Sequence, residues 1–135
     1  MLQANDVLVV VPAFNEAASI GQVLDGIQSH GFRVLVIDDG STDETTSRVK
    51  EIRDLPLGVN LRLIEMRVNV GQTNATAAGL SKAKSDFILT LDDDVKDDLN
   101  SVIDLLTKLK QKDLDFVVGA PNYGVNGRFR GVATE

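Results

Sequence analysis

Short apolar runs alternate along the chain with segments in which apolar residues recur every three or four positions. The runs predict five β-strands, at residues 6–11, 33–37, 61–65, 87–91 and 114–118. The periodic segments predict helices at residues 17–29, 73–84 and 97–111. Ser41 and Glu44 form a capping-box pair, which predicts one more helix that begins there and runs to about residue 53. This alternation is typical of an α/β protein, and we predict a three-layer α/β/α sandwich around a mainly parallel sheet.

Polar loops follow the first four predicted strands, and two of these loops carry clusters of acids. Asp38 and Asp39 follow the second strand, and Asp92, Asp93 and Asp94 follow the fourth. The carboxyl ends of parallel strands meet at one edge of a sheet, where ligands of open α/β proteins bind. Asp92 and Asp94 have the D-x-D spacing with which two carboxylates can share one Mg²⁺ or Mn²⁺ ion. The alternative interpretation of these three acids is a solvated turn that opens the next helix.

Composition and charge remove several classes of function. The 135 residues are enough for one domain, and the net charge of −6 argues against nucleic acid or an anionic membrane as the main partner. The absence of cysteine excludes disulfides and thiolate zinc sites, and the single histidine, His30, is interpreted as a helix-end residue.

Motifs of other nucleotide-binding folds are absent from the sequence. There is no G-x-G-x-x-G after the first strand, as a Rossmann cofactor site would need, and no G-x-x-x-x-G-K-[ST], the pattern of a P-loop. No signal-peptide pattern opens the chain and no apolar run is as long as a membrane span, so we expect a cytoplasmic domain.

Four blocks of sequence resemble one known family. They are VVVPAFNEAASIGQVL, VLVIDDGSTDET, NVGQTNATAAGL and DFILTLDDDV. Their order and spacing are similar to those of the nucleotide-sugar half of family 2 glycosyltransferases, which have the Rossmann-like GT-A fold. The Asn-x-Gly-Gln loop and the D-x-D pattern look most like the polyprenyl-phosphate branch of that family, the dolichol-phosphate mannosyltransferase-like enzymes of the cell envelope.

The resemblance implies a role for individual residues. Asp39 would bond the base, uracil or guanine, and Gly71 and Gln72 would line the nucleoside side of the pocket. Asp92, near the ribose or the metal, and Asp94, a ligand of the cation, would be the catalytic and metal-binding residues. The substrate-binding residues implied in this way are Pro12, Ala13, Phe14, Asn15, Glu16, Asp39, Gly71, Gln72 and Asp93. Structural interpretations stay open for some of them: Pro12 ends a strand, Asn15 and Glu16 cap a helix, and Gly71 turns the chain.

The implied chemistry is displacement at the anomeric carbon of a UDP- or GDP-linked sugar. Negative charge grows on the departing diphosphate, and a divalent cation stabilises it. A polyprenyl phosphate would be a suitable acceptor, because its oxygen is already anionic near neutral pH and needs no general base. The resemblance also implies a homo-oligomer or a membrane-linked remainder of the gene product, at the cytoplasmic face of a membrane.

Two features depart from the family pattern. Lys96 stands where the polyprenyl-phosphate branch commonly has glutamine, and its ammonium group either points away from the metal, weakens the metal site or contacts phosphate directly. The acceptor half normally lies beyond the region where this chain stops. We therefore expect a donor-binding domain at residues 1–120 and the start of a truncated or absent acceptor region at residues 121–135.

Two other functions are compatible with parts of this pattern. The first is a non-catalytic or truncated nucleotide-sugar-binding module that lacks the acceptor site. The second is a phosphoacceptor signalling domain, which is disfavoured because the acids follow the second and fourth predicted strands instead of the first and third.

Overall fold

The structure, a computed structural model, describes residues 2–91, 99–113, 118–120 and 130–132. The chain divides into two compact units, residues 4–94 and residues 1–3 with 95–135. None of the helices in the described ranges is both long and apolar enough to cross a membrane.

The unit of residues 4–94 is built on a four-stranded parallel sheet with the strand order β3-β2-β1-β4. Its strands are β1 (Val7–Ala13), β2 (Arg33–Asp38), β3 (Leu61–Glu65) and β4 (Phe87–Thr90). Its helices are α1 (Ile20–Ser29), α2 (Thr45–Arg53) and α3 (Gln72–Lys82). The predicted α/β architecture around a parallel sheet is confirmed.

Both faces of this sheet are covered. Alternate residues of a strand point to opposite faces, and every residue of β1 is buried, so each face needs a helical layer. One face carries Leu8, Val10, Leu35 and Ile37, which form a cluster with Ala75 of α3. Helix α3 lies so close to this face that a Cβ added at its Gly79 would be 2.4 Å from Ile37 Cδ1. Helices α1 and α2 contact each other and β2, and their buried side chains Ile20, Leu24, Ile27 and Val49 are available to cover the other face.

The predicted end of the first strand is wrong, because β1 continues through Pro12 to Ala13. Ala13 accepts a hydrogen bond from the Asp39 N–H on the β2 side (2.8 Å), so the backbone of Pro12 faces the β4 side. Pairing with β4 extends only to Val10, which faces Thr90. The missing N–H of Pro12 therefore breaks no hydrogen bond of the sheet.

The bounds of the three helices of this unit differ from the sequence predictions. Helix α1 begins at Ile20 instead of residue 17, after a turn in which the Ser19 and Ile20 N–H groups donate to the Glu16 carbonyl. As predicted, His30 directly follows the last residue of this helix. Helix α3 occupies Gln72–Lys82 instead of residues 73–84. The capping box is wrong: α2 begins at Thr45, and its first N–H donates to the Asp43 carboxylate.

The second unit contains α4 (Asn100–Gln111), β5 (Val118–Ala120) and β6 (Arg130–Val132). The fifth strand was predicted to extend the mainly parallel series. Instead β5 pairs antiparallel with β6, with Val118 opposite Val132. The nine-residue connection between them suits an antiparallel pair, whereas a parallel pair needs a crossover of a dozen or more residues. Residues 114–117 of the predicted strand lie outside the described residues.

Candidate functional site

The loops that follow β1, β2 and β3 meet at the carboxyl edge of the sheet. Asp38 at the end of β2 is in register with Ala13 on one side and with Glu65 on the other. Strand β4 is parallel to β1 and ends at Thr90, so its carboxyl end faces the same edge. Loops from separate parts of the sequence can therefore form one site there.

Asp39 joins the loop after β2 to the loop after β3. Its side chain is only 2% exposed, and its Oδ1 and Oδ2 accept the backbone N–H groups of Val70 and Gly71 at 2.8 and 2.9 Å. The Asn69 side-chain amide donates to the Asp39 carbonyl at 3.1 Å. Burial of a carboxylate costs free energy unless such donors compensate its charge. These bonds therefore hold the backbone of the loop after β3 against Asp39.

Asn15 joins the loop after β1 to the loop after β2. Its φ of 51° lies in the left-handed region, and its backbone N–H donates to Ser41 Oγ at 3.0 Å. Its Oδ1 accepts the N–H of Thr42 at 2.8 Å and that of Asp43 at 3.3 Å. Asparagine tolerates the left-handed conformation better than most residues, so one side chain both makes the turn and crosslinks the two loops.

Asp43 and Thr45 form a second crosslink between the same two loops. The Glu16 N–H donates to Thr45 Oγ1 at 2.8 Å, and the Ala17 N–H donates to Asp43 Oδ2 at 3.2 Å. Asp43 Oδ1 accepts both the hydroxyl and the N–H of Thr45. The Thr45 hydroxyl has the largest effect and lowers the pKa of Asp43 below its usual 3.8. Burial opposes it with the next largest effect, and the backbone N–H groups of Thr45, Ala17 and Asp43 itself lower the pKa by smaller amounts.

We expect this crosslink to weaken in acid. The lowered pKa of Asp43 in the folded chain means that its contribution to stability is complete above pH 3.8 and is lost as the pH falls further, through the folded pKa. A pH titration by NMR should show the Asp43 carboxyl carbon and the Ala17 amide titrating together below that pH. In Thr45→Val the pKa of Asp43 should rise, because the hydroxyl donor is gone. An unchanged pKa in this variant would contradict the assignment.

Two glycines allow the loops to take these positions. Gly40 has a φ of +72°, and a Cβ there would lie 2.6 Å from the Asn69 nitrogen and 2.8 Å from the Val68 carbonyl carbon. Gly71 has φ 89° and ψ 154°, a region that only glycine populates readily, but a Cβ there would meet no atom of the described residues within 4 Å. Gly40 is therefore required for both conformation and close packing, and Gly71 for conformation alone.

We predict that Gly40→Ala destabilises the chain more than Gly71→Ala. Backbone strain should cost about 1–3 kcal/mol in either variant, and the clash with the Val68–Asn69 backbone should add about 1–3 kcal/mol for Gly40→Ala alone. Urea unfolding of both variants beside the parent chain measures the difference. Equal losses for the two variants would show that the loop after β3 does not pack on Gly40.

The structure brings most of the sequence-predicted site residues to this edge. Pro12 and Ala13 are buried in β1, Phe14 is 43% exposed, and Glu16 is half-buried. Gly71 precedes α3, and Gln72 is its first residue. Asp92, Asp93, Asp94 and Lys96 lie outside the described residues.

Sequence reasoning missed the residues that hold the loops together. Asn69, Ser41, Asp43 and Thr45 were not among the predicted site residues, although their bonds set the positions of Asn15 and Gly71. Asp38 was predicted as part of an acidic cluster but was given no role of its own, and its buried carboxylate accepts the Ser41 N–H at 3.0 Å and the Thr46 hydroxyl. The density of Asp, Ser and Thr in residues 38–45 was the available indication, since these side chains commonly bond nearby backbone in turns.

The described acids at this edge form no cluster of three or more metal-binding side chains. No group of three or more His, Cys, Asp or Glu side chains in the described ranges could hold a metal ion. The carboxylates of Asp38 and Asp39 accept hydrogen bonds from N–H and O–H groups of the protein. These bonds favour a structural role for the two acids over metal binding. The prediction of a Mg²⁺ or Mn²⁺ site therefore depends on Asp92 and Asp94.

Comparisons with known proteins identify the family of the chain. Residues 8–134 match the model of the family described as Glycosyl transferase family 2. The chain is 32% identical over 124 residues to a dodecaprenyl-phosphate galacturonate synthase of Rhizobium johnstonii, covering 87% of this chain and 36% of that protein. It is 27% identical over 132 residues to a dolichyl-phosphate beta-glucosyltransferase of Dictyostelium discoideum, with coverages of 87% and 40%. It is 31% identical over 108 residues to an undecaprenyl-phosphate 4-deoxy-4-formamido-L-arabinose transferase of an Enterobacter species, with coverages of 76% and 33%.

A solved structure shares the fold. The mannosyltransferase PcManGT from Pyrobaculum calidifontis, in complex with GDP-Man and Mn²⁺, superposes with a TM-score of 0.71 at 27% identity. The match covers 88% of this chain and 35% of that one. The chain thus spans between 33% and 40% of the length of these similar proteins.

Proposed function

The chain belongs to glycosyl transferase family 2, and we propose that it is a donor-binding domain that holds a nucleoside-diphosphate sugar for transfer to an acceptor. The observation that carries this proposal is the joining of three loops at one sheet edge by Asn15, Asp39 and Asp43. Such a preorganised edge suits a ligand that must be held in one orientation while a bond at its anomeric carbon breaks. We place the donor site within residues 1–120 and the start of an acceptor region at residues 121–135.

In this proposal the nucleoside lies between the loops after β1 and β3. The exposed ring of Phe14 offers an apolar face for the base. Among the described residues no atom lies within 4 Å of a Cβ built at Gly71, and the space there admits a ligand close to the backbone. Pro12, Ala13, Asn15, Glu16 and Gln72 complete the binding residues. Asp39 acts by holding Val70 and Gly71, and its direct bond to the base stays a prediction, since both of its oxygens already accept N–H groups.

The cation in this proposal is Mg²⁺ or Mn²⁺, held by Asp92 and Asp94. Carboxylates with this spacing have the donor chemistry that these hard cations prefer, and the similar mannosyltransferase was solved with GDP-Man and Mn²⁺. When bound, the ion would offset the negative charge of the departing diphosphate. Asp93 is assigned to substrate binding, and Lys96 to phosphate contact or to a position away from the ion.

A polyprenyl phosphate is the proposed acceptor. The three curated relatives are named for dodecaprenyl, dolichyl and undecaprenyl phosphates. Such an acceptor would place the protein at the cytoplasmic face of a membrane, with a homo-oligomer or a membrane-linked remainder of the gene product completing the site.

Calorimetry combined with a transfer assay tests the proposal. Titrations with GDP-mannose and with UDP-sugars, each with and without Mn²⁺, should show binding that requires the ion. Transfer to a polyprenyl phosphate would support the full activity. Binding without transfer or hydrolysis would favour the alternative, a nucleotide-sugar-binding module that lacks the acceptor site. Absence of binding to every donor would contradict both.

A further inference from the structure

A cleft with a cationic rim lies at the edge of the sheet opposite to the candidate donor site. It has a volume of about 190 Å³ and lies within the unit of residues 4–94. Apolar residues of the first three strands, including Leu8 and Leu35, form part of its wall. Its cations are Arg33, Arg62, Lys82 and Lys84.

The strand register explains why these cations lie together. Arg33 is opposite Leu8, and Arg62 is opposite Leu35. Side chains of residues that face each other across neighbouring strands project to the same face, so both arginines share the face that α3 covers. Helix α3 ends at Lys82, and the cleft lies where its last turn and Lys84 reach the amino ends of the strands.

Arg33 is held in a defined position by neutral groups. Its Nε donates to the Asn5 carbonyl at 2.8 Å, and its two Nη atoms donate to Ser85 Oγ at 2.7 Å and to the Lys84 carbonyl at 3.5 Å. These bonds orient the guanidinium group without neutralising its charge. The ion pairs among the described residues join Arg48 to Glu44, Lys50 to Glu65 and Arg53 to Asp54, and none of them includes a cation of the cleft.

We propose that this cleft binds a phosphate group, either inorganic or esterified. A guanidinium fork and ammonium point charges are the groups with which proteins bind phosphate. The cleft is smaller than the roughly 300–1,000 Å³ of pockets for drug-sized ligands, so it suits a phosphate or diphosphate group better than a whole nucleotide. The whole chain has a net charge of −6, so a cleft lined by four cations differs in charge from the rest of the molecule.

The preference of cations for the carboxyl ends of helices accounts for Lys82 alone. It does not account for two arginines that lie on the neighbouring strands. Helix α4 provides a matched comparison, since Lys108 and Lys110 occupy its last turn as Lys82 occupies the last turn of α3.

Titration of the chain with sodium pyrophosphate in EDTA, followed by NMR, tests the proposal. EDTA removes divalent cations, so the donor site is not engaged. We expect the amide signals of Arg33, Arg62 and Lys84 to shift, and the double variant Lys82→Gln/Lys84→Gln to bind about tenfold more weakly or worse. The control variant Lys108→Gln/Lys110→Gln should bind within about twofold of the parent, since it removes the same number of exposed charges and changes none of the residues that line the cleft.

Cosedimentation with vesicles identifies the source of the phosphate. Pyrophosphate binding together with retention on phosphatidylglycerol vesicles, but not on phosphatidylcholine vesicles, would assign the cleft to an anionic lipid headgroup. Pyrophosphate binding without vesicle retention would assign it to a soluble phosphate ligand. The proposal is overturned if pyrophosphate shifts no signal at the cleft, if it shifts only Val70 and Gly71, or if both double variants lose affinity equally.

Discussion

Replacing Asp39 with asparagine is expected to destabilise the chain by about 2–4 kcal/mol and to abolish donor binding. The two oxygens of this buried carboxylate accept the N–H groups of Val70 and Gly71. Asparagine has nearly the same shape, but only one end of its amide accepts a hydrogen bond. The variant therefore loses one charge-assisted bond and leaves one N–H group opposite another donor, which should release the loop after β3.

Urea unfolding and amide hydrogen exchange measure the two parts of this prediction. The global free energy of unfolding should fall, and amide exchange at Val70 and Gly71 should accelerate more than exchange within α3. Asp25→Asn is the matched control, because Asp25 is an exposed acid on α1. A loss no larger than that of the control would contradict the role assigned to Asp39.

Replacing Asp94 with asparagine is expected to reduce cation-dependent donor binding by at least about a hundredfold. Loss of an outer partner of a metal ligand already costs about 10–100-fold in metal affinity or activity, so loss of a direct ligand should cost no less. The neutral amide also removes one of the charges that offset the cation. Calorimetry with the preferred nucleotide sugar at a series of Mn²⁺ concentrations measures the change.

A change in folding must be separated from a change at the metal site. Asp104→Asn provides the control, because Asp104 is an exposed acid of α4. Asp94→Asn should unfold at the same urea concentration as this control while losing affinity for the donor. Cation-dependent binding that survives in Asp94→Asn would remove this residue from the metal site.

Local sequence patterns were enough to predict those elements whose bounds do not depend on contacts with distant parts of the chain. Strand β3 was predicted with its observed bounds, because its apolar residues are flanked by a turn and a polar loop. The end of β1 was not predictable in this way. A proline usually ends a strand because it has no N–H group to pair. Pro12 is tolerated inside β1 because the neighbouring strand β4 pairs with β1 only as far as Val10. Likewise the antiparallel pair of β5 and β6 depends on a segment that shows no periodicity of its own.

The positions of the acids were predictable, but their partners were not. A polar cluster after a buried strand identifies the edge of the sheet at which Asp39 lies. Its bonds to backbone N–H groups 31 and 32 residues later cannot be inferred from spacing. The same holds for Ser41, whose expected capping bond is replaced by a bond from Asn15, 26 residues away. Long-range backbone donors have no sequence signature, since every residue except proline carries one.

An NMR titration with a nucleotide sugar and Mg²⁺ tests most directly whether the loops of this edge form one pocket. Addition of both components should shift the amide signals of Phe14, Asn15 and Gly71 together, with a single midpoint. The shifts should vanish when Mg²⁺ is omitted or when Asp94 is replaced by asparagine. Shifts that leave these three residues unaffected, or that persist unchanged without the cation, would contradict the proposed donor site.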